Sequence, residues 1–137
     1  MPNENEQATA YLSEAETTLE SARVPFERDP AAFASQIVKN AYDALEQAVS
    51  AGIAARGADI PRRHGAKIQR FFAPLDADEL ESAAFEWHAR RSDAQYVDYR
   101  GADLSVPSEN FDADDAESIL EDADDIVELV RRRVGDT

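Results

Sequence analysis

Apolar side chains in this chain recur at three- and four-residue steps, and no stretch shows convincing two-residue alternation. A period near 3.6 describes a helix with one buried stripe, whereas a half-buried strand needs a period of two. The first such stripe is Ala8, Tyr11, Leu12, Ala15, Leu19 and Ala22. It predicts a helix from Glu6 to Val24, ended by Pro25, because proline disfavours helix at the residue before it. Asp29-Pro30 reads as the start of a second helix, with Phe33, Ile37, Val38, Ala41, Leu45, Ala48 and Val49 inward, running to Arg56 and stopping at Gly57. It is the most alanine-rich segment. Small residues on several faces place it at the centre, packed from more than one side.

After the connector Asp59-Ile60-Pro61, a short helix carries Ile68, Phe71, Phe72 and Leu75. Asp76 reads as the cap of a fourth helix, with Glu79 completing a capping box and Leu75 and Leu80 as a staple. That helix presents Leu80, Ala83, Ala84 and Trp87 and reaches about Arg91. Residues 98–111 read as a loop. Asp112 then caps a last helix whose stripe is Ala116, Ile119, Leu120, Ala123, Ile126, Val127, Val130 and Val134, with Gly135 as its end. The expectation is an all-α, up-and-down bundle of four or five helices, one domain over residues 1–137.

Charge is the strongest compositional fact. There are 29 aspartates and glutamates against 14 basic residues, a net charge of -15. Lys39 and Lys67 are the two lysines, against twelve arginines. The acids run from Glu4 to Asp136 and form no separate tail, so the whole surface is acidic. At about 1 M salt the screening length is roughly 3 Å, which removes most of the self-repulsion of such a surface. This pattern resembles proteins of extreme halophiles. No cysteine is present, which excludes disulfides, thiolate zinc sites and a cysteine nucleophile. No apolar run has membrane-spanning length, and Met1 to Asn5 lacks the form of a signal peptide. A cytoplasmic protein without membrane partners is expected.

The order of these features resembles the prokaryotic HEPN-domain proteins, often encoded beside a minimal nucleotidyltransferase. The likeness runs from about Ala10 to Val134. It begins with Ala10 and Ala15 in the first helix. It continues in the central helix with Phe33, Ala34, Gln36, Asn40, Ala41, Ala44, Leu45, Gln47 and Ala48. Gly57, Pro61 and His64 lead into the short helix. Arg91, Ala94 and Tyr96 match an Arg-x-x-Ala-x-Tyr element, and Phe111-Asp112 with Asp115-Ala116 matches the entry to the last helix. The resemblance implies a helical bundle that forms a homodimer, a nucleotidyltransferase partner, and a role in a toxin–antitoxin-like or RNA-acting system. Many relatives are metal-independent ribonucleases carrying Arg-x4–6-His. Here the pattern departs: neither His64 nor His88 has an arginine five to seven residues before it, and Tyr96 follows Arg91 where a histidine would stand. The missing imidazole is the group that exchanges protons near neutral pH. A non-catalytic module binding a nucleotide, a nucleic acid or a protein is the alternative, and a plain assembly helper a third reading.

The leading candidate site is the cluster Arg90, Arg91, Tyr96, Tyr99 and Arg100. Arginine clamps phosphate bidentately and tyrosine stacks on a base. The plainer reading has Arg91 pairing with Asp93 or Asp98 to order the loop. A second basic group, Arg62, Arg63 and His64 with Lys67, stands at a helix start where a phosphate is favoured. A solvated face is its plainer reading. His88 beside Trp87 reads as ordinary helix structure. No catalytic residue is identified. No cofactor or metal is expected, because the acids of the last helix do not follow the spacing of a calcium loop. Phe26, Phe85 and Trp87 are left over as a partner surface or core.

Overall fold

The computed structural model describes residues 4–94, 97–100 and 103–135, with the backbone alone at Glu4, at 98–100 and at Gly135. Its elements are α1 (Glu4–Arg28), α2 (Ala34–Ala55), α3 (His64–Phe72), α4 (Asp78–Arg90), β1 (Asp98–Arg100), β2 (Asp103–Ser105), α5 (Pro107–Asn110) and α6 (Ala113–Gly135). A 3₁₀ turn, Arg91–Ala94, continues α4. Cross-helix pairs give the directions. Arg23 bonds Asp124 and Arg131 bonds Glu16, so α1 and α6 are antiparallel. Trp87 bonds Asp122 and Arg90 bonds Asp115, so α4 also runs against α6. The fold is an all-α bundle of antiparallel neighbours.

The central helix is α2, as its alanines indicate. Ile37, Val38, Ala41, Tyr42, Ala44, Leu45, Ala48, Val49 and Ser50–Ala54 are all buried, which covers most of its circumference. Around it lie Ala15, Leu19 and Ala22 of α1, Ile68, Phe71 and Phe72 of α3, Ala84 and Trp87 of α4, and the Ala116 to Val130 stripe of α6. Gly52 lies in the middle of α2, where glycine normally weakens a helix. A Cβ there would stand 2.3 Å from Cε1 of Phe71, so the residue lets α3 approach α2 closely. At the end of α2, Gly57 has φ 71°, the left-handed turn that glycine adopts without strain.

Four local expectations are corrected. Pro25 does not end α1, which continues to Arg28. Proline costs most in a helix interior. Here it sits one turn from the end, and Phe26 packs on the core beyond it. Asp29 and Pro30 form a turn ahead of α2 and not its first residues: Asp29 Oδ1 accepts from the Ala32 amide at 3.1 Å, and α2 begins at Ala34. Asp76 does not cap α4. The N-cap is Ala77, with no side-chain bond, so the Asp76–Glu79 box does not form. Residues 98–111 are not all loop: β1 and β2 pair antiparallel, with Tyr99 opposite Leu104, and α5 adds one turn. The expected cap of α6 is present. Asp112 Oδ1 accepts from the Asp115 amide at 2.9 Å, and Asp115 returns the bond to the Asp112 amide at 3.0 Å.

Candidate functional site

Arg90 and Arg91 are adjacent in sequence but face different surroundings. The Arg90 guanidinium lies over the rings of Trp87 (5.1 Å) and Phe111 (4.7 Å) and contacts Asp115 at 3.3 Å. It clips the end of α4 to the start of α6. Asp115 is thereby an anchored acid. Burial alone would raise its pKa, but the Asp112 amide and Arg90 outweigh burial and hold it below the usual carboxylate value.

Arg91 opens the 3₁₀ turn and is half-buried. No ion pair or hydrogen bond joins it to a described side chain, Asp93 included, and the side chain of the other expected partner, Asp98, lies outside the description. Its charge instead acts on Tyr42, Asp43 and His88. These belong to a polar nest between α2, α3 and α4. The Tyr42 hydroxyl and Nδ1 of His88 share a hydrogen bond at 3.2 Å, whose donor is set by the imidazole tautomer. The rings of His64 and His88 lie 6.0 Å apart, centroid to centroid. His64 Nδ1–H donates to Glu46 Oε2 at 2.5 Å, and Lys67 donates to Glu46 Oε1 at 2.8 Å.

The electrostatics of this nest follow from partial burial. For His88, burial, then the charges of Arg91 and His64, push the pKa below the ordinary 6.5 against the opposing pull of Glu46. The imidazole is therefore neutral near pH 7. Burial pushes the Tyr42 phenol well above its ordinary value, and Glu46 adds to the rise. For Asp43, burial raises the pKa, and Lys39, Arg91 and His64 compensate only in part. For Glu46, burial would raise it, but Lys67 and then His64 bring it below the usual value. The nest thus gathers Arg91, Lys67 and two imidazoles around the carboxyls of Asp43 and Glu46, and Glu46 serves both Lys67 and His64.

A cavity of 170 Å³ adjoins it, lined by Tyr11, Asp43, Glu46, Gln47, Ser50, His64 and Lys67. A larger groove of 720 Å³ continues past Tyr11 and Lys67 along Ile60, Pro61 and Arg62. Within the described residues, no group of three or more potential metal-binding side chains is suitably placed.

The expected cluster is thus divided. Arg90 is occupied between two helices, while Arg91 stands in the nest. Tyr96 lies outside the described residues. For Tyr99 and Arg100 the description ends at the backbone, which places both on β1. Of the second group, His64 is in the nest, Arg62 borders the large groove, and Arg63 is exposed at the N-cap of α3. Tyr42, Asp43 and Glu46 had not been singled out in the sequence. Their signal was present: polar residues 42, 43, 46, 47 and 50 interrupt an alanine-rich helix that is otherwise packed all round.

These observations define an all-α bundle with a polar, histidine-containing nest between its central helix and α3–α4. The sequence matches the HEPN domain over residues 8–133, and the chain belongs to that family. The fold is also that of ST0689, an archaeal HEPN homologue of known crystal structure. The TM-score is 0.70 at 20% identity, over 93% of this chain and 98% of that one. Comparison with curated proteins gives no match.

Proposed function

We propose that this HEPN chain is a binding protein for a phosphate-bearing ligand, a nucleotide or RNA. In this reading it acts as a homodimeric cytoplasmic partner of a minimal nucleotidyltransferase, in a toxin–antitoxin-like or RNA-acting pair, with residues 1–137 as one HEPN unit. The observation that carries the ligand is Arg91. In a chain with 29 acidic residues, this half-buried guanidinium has no carboxylate partner among the described side chains, and its charge acts on His88. A fork of donors without an acceptor suits a phosphate. Partnership and dimerisation rest on the family, and exposed Phe85, Val97 and Leu104 are available apolar contacts. The test is a titration with nucleotides and short RNA in high salt. Arg91→Ala should weaken binding at least about tenfold, the loss of roughly 1.4 kcal/mol of charge-assisted bonding, and leave the melting curve in place. Unchanged affinity would remove Arg91 from the site.

A second reading, metal-independent RNA cleavage, is favoured by one observation. His64 and His88 stand 6.0 Å apart, and they supply the imidazoles that the Arg91–Tyr96 element lacks. RNA cleavage in concentrated potassium chloride that disappears in His88→Asn would support it; cleavage that persists in that variant would not.

A further inference from the structure

A groove of 350 Å³ lies between α1 and α6, formed by other residues than the histidine nest. Its apolar side chains are Phe26 and Leu120, both half-buried and packed on the core from above. Its rim is acidic: Glu27 on one bank, Glu117, Glu121 and Asp124 on the other. The one cation present, Arg23, is already taken by Asp124 and by Glu20, the latter at 3.5 Å. Glu27, Glu117 and Glu121 have no ion-pair partner among the described residues. Residues 117 and 121 are four apart on α6, so their charges sit one turn apart on the same face and repel each other. Leu120 lies between them on that face.

We propose that this groove docks a helix of a partner protein whose exposed face carries one large apolar side chain flanked, a turn away, by arginine or lysine. The argument is complementarity in three respects. The apolar floor needs a side chain to cover it. The unpaired carboxylates need cations. Their one-turn spacing along α6 matches cations spaced one turn apart on a second helix, the usual geometry of a helix lying in a helix–helix groove. A second copy of this chain fits less well. Arg131 and Arg132 near the end of α6 are engaged with Glu16 and Glu128. On α1 the exposed Val24 has Arg28 one turn after it but Glu20 one turn before it, so its face is not flanked by cations on both sides.

General attraction of polycations to an acidic protein is the effect the test must separate. The probe is a labelled synthetic helix with one leucine between two arginines, each a turn away. Anisotropy is followed at the lowest salt at which the protein keeps its full melting transition. Saturable binding is expected. It should weaken about tenfold or more when the peptide leucine is replaced by asparagine, as loss of a buried leucine implies. It should weaken comparably in Glu117→Lys/Glu121→Lys, two exposed positions whose exchange leaves the core intact, and in Leu120→Asn where that variant melts normally. Equal binding of the leucine and asparagine peptides would reduce the groove to nonspecific charge and overturn the proposal. So would absence of saturable binding, or charge-reversed protein binding like the parent. Self-association of the parent that Glu117→Lys/Glu121→Lys abolishes would assign the face to a second copy and overturn it equally.

Discussion

The residue with the most informative chemistry is His88, because its neighbours report on Arg91. Its folded pKa is depressed by burial and by the cations Arg91 and His64. In the pH interval below 6.5 the unfolded chain therefore binds this proton and the folded chain does not. The stabilisation is present above that interval and is lost as pH falls through the folded value. Glu46 acts in the same sense at lower pH: its folded pKa is also depressed, so its contribution disappears as the carboxylate is protonated. The protein should thus lose stability in two acid steps, the first from His88. In high salt, the imidazole resonance of His88 should titrate with a midpoint below 6.5, and Arg91→Ala should move that midpoint upward. A midpoint that ignores Arg91 would place the guanidinium away from the nest. Glu46→Gln should cost about 1–3 kcal/mol in denaturant unfolding, the range for a half-buried charged partner left unmatched, here Lys67. The sequence showed the two histidines and Lys67 but not their meeting point. Residues 46 and 64 are far apart in the chain, and nothing in local periodicity says that α3 returns alongside the middle of α2.

At the scale of elements, Arg90 and Gly52 show what legibility depended on. The stripes of α2 and α6 were readable because each is long and consistently periodic, so tertiary packing agrees with local pattern. The Asp112 cap was readable because its partner, Asp115, is three residues away. Where a distant contact decides the outcome, the sequence misled. Pro25 is overridden by packing of the last turn of α1, and Asp76 lies ahead of a helix whose start is fixed elsewhere. The β1–β2 ladder has three residues per strand, too short for alternation to register. Arg90 looked like a ligand residue because it adjoins Arg91; Trp87 is its neighbour three residues back on α4, but its contacts with Phe111 and Asp115 are long-range and invisible from position. Arg90→Ala should therefore lower stability by about 1–2 kcal/mol, from loss of the cation–π stacking and the Asp115 bond, while leaving nucleotide or RNA affinity within twofold or so. A binding defect as large as that of Arg91→Ala would reunite the two arginines functionally. Gly52→Ala tests the α2–α3 approach. The added methyl must displace Phe71, and about 1–3 kcal/mol of overpacking cost is expected from its unfolding curve.

At the scale of the molecule, net charge and ion pairs pull in opposite directions as salt rises. Exposed pairs such as Arg23 with Asp124 and Arg131 with Glu16 tie α1 to α6, and added salt weakens them. Each such pair contributes only about 0–1 kcal/mol. Repulsion among the remaining acids is also screened, and the net charge of -15 means that most carboxylates have no cation to pair with. The excess decides the sign: screening should relieve more repulsion than the attraction it removes. Helical circular dichroism and melting temperature should both fall as potassium chloride is reduced from molar to millimolar concentration. Neutral solutes at matched osmolality should not substitute for the salt, because they do not screen. Arg23→Gln should shift the whole melting-against-salt curve only slightly, since it removes one exposed pair and adds one unit of uncompensated negative charge. A melting temperature that stays level across the salt range would show that the surface tolerates its own charge, and the halophilic reading of this composition would then fail.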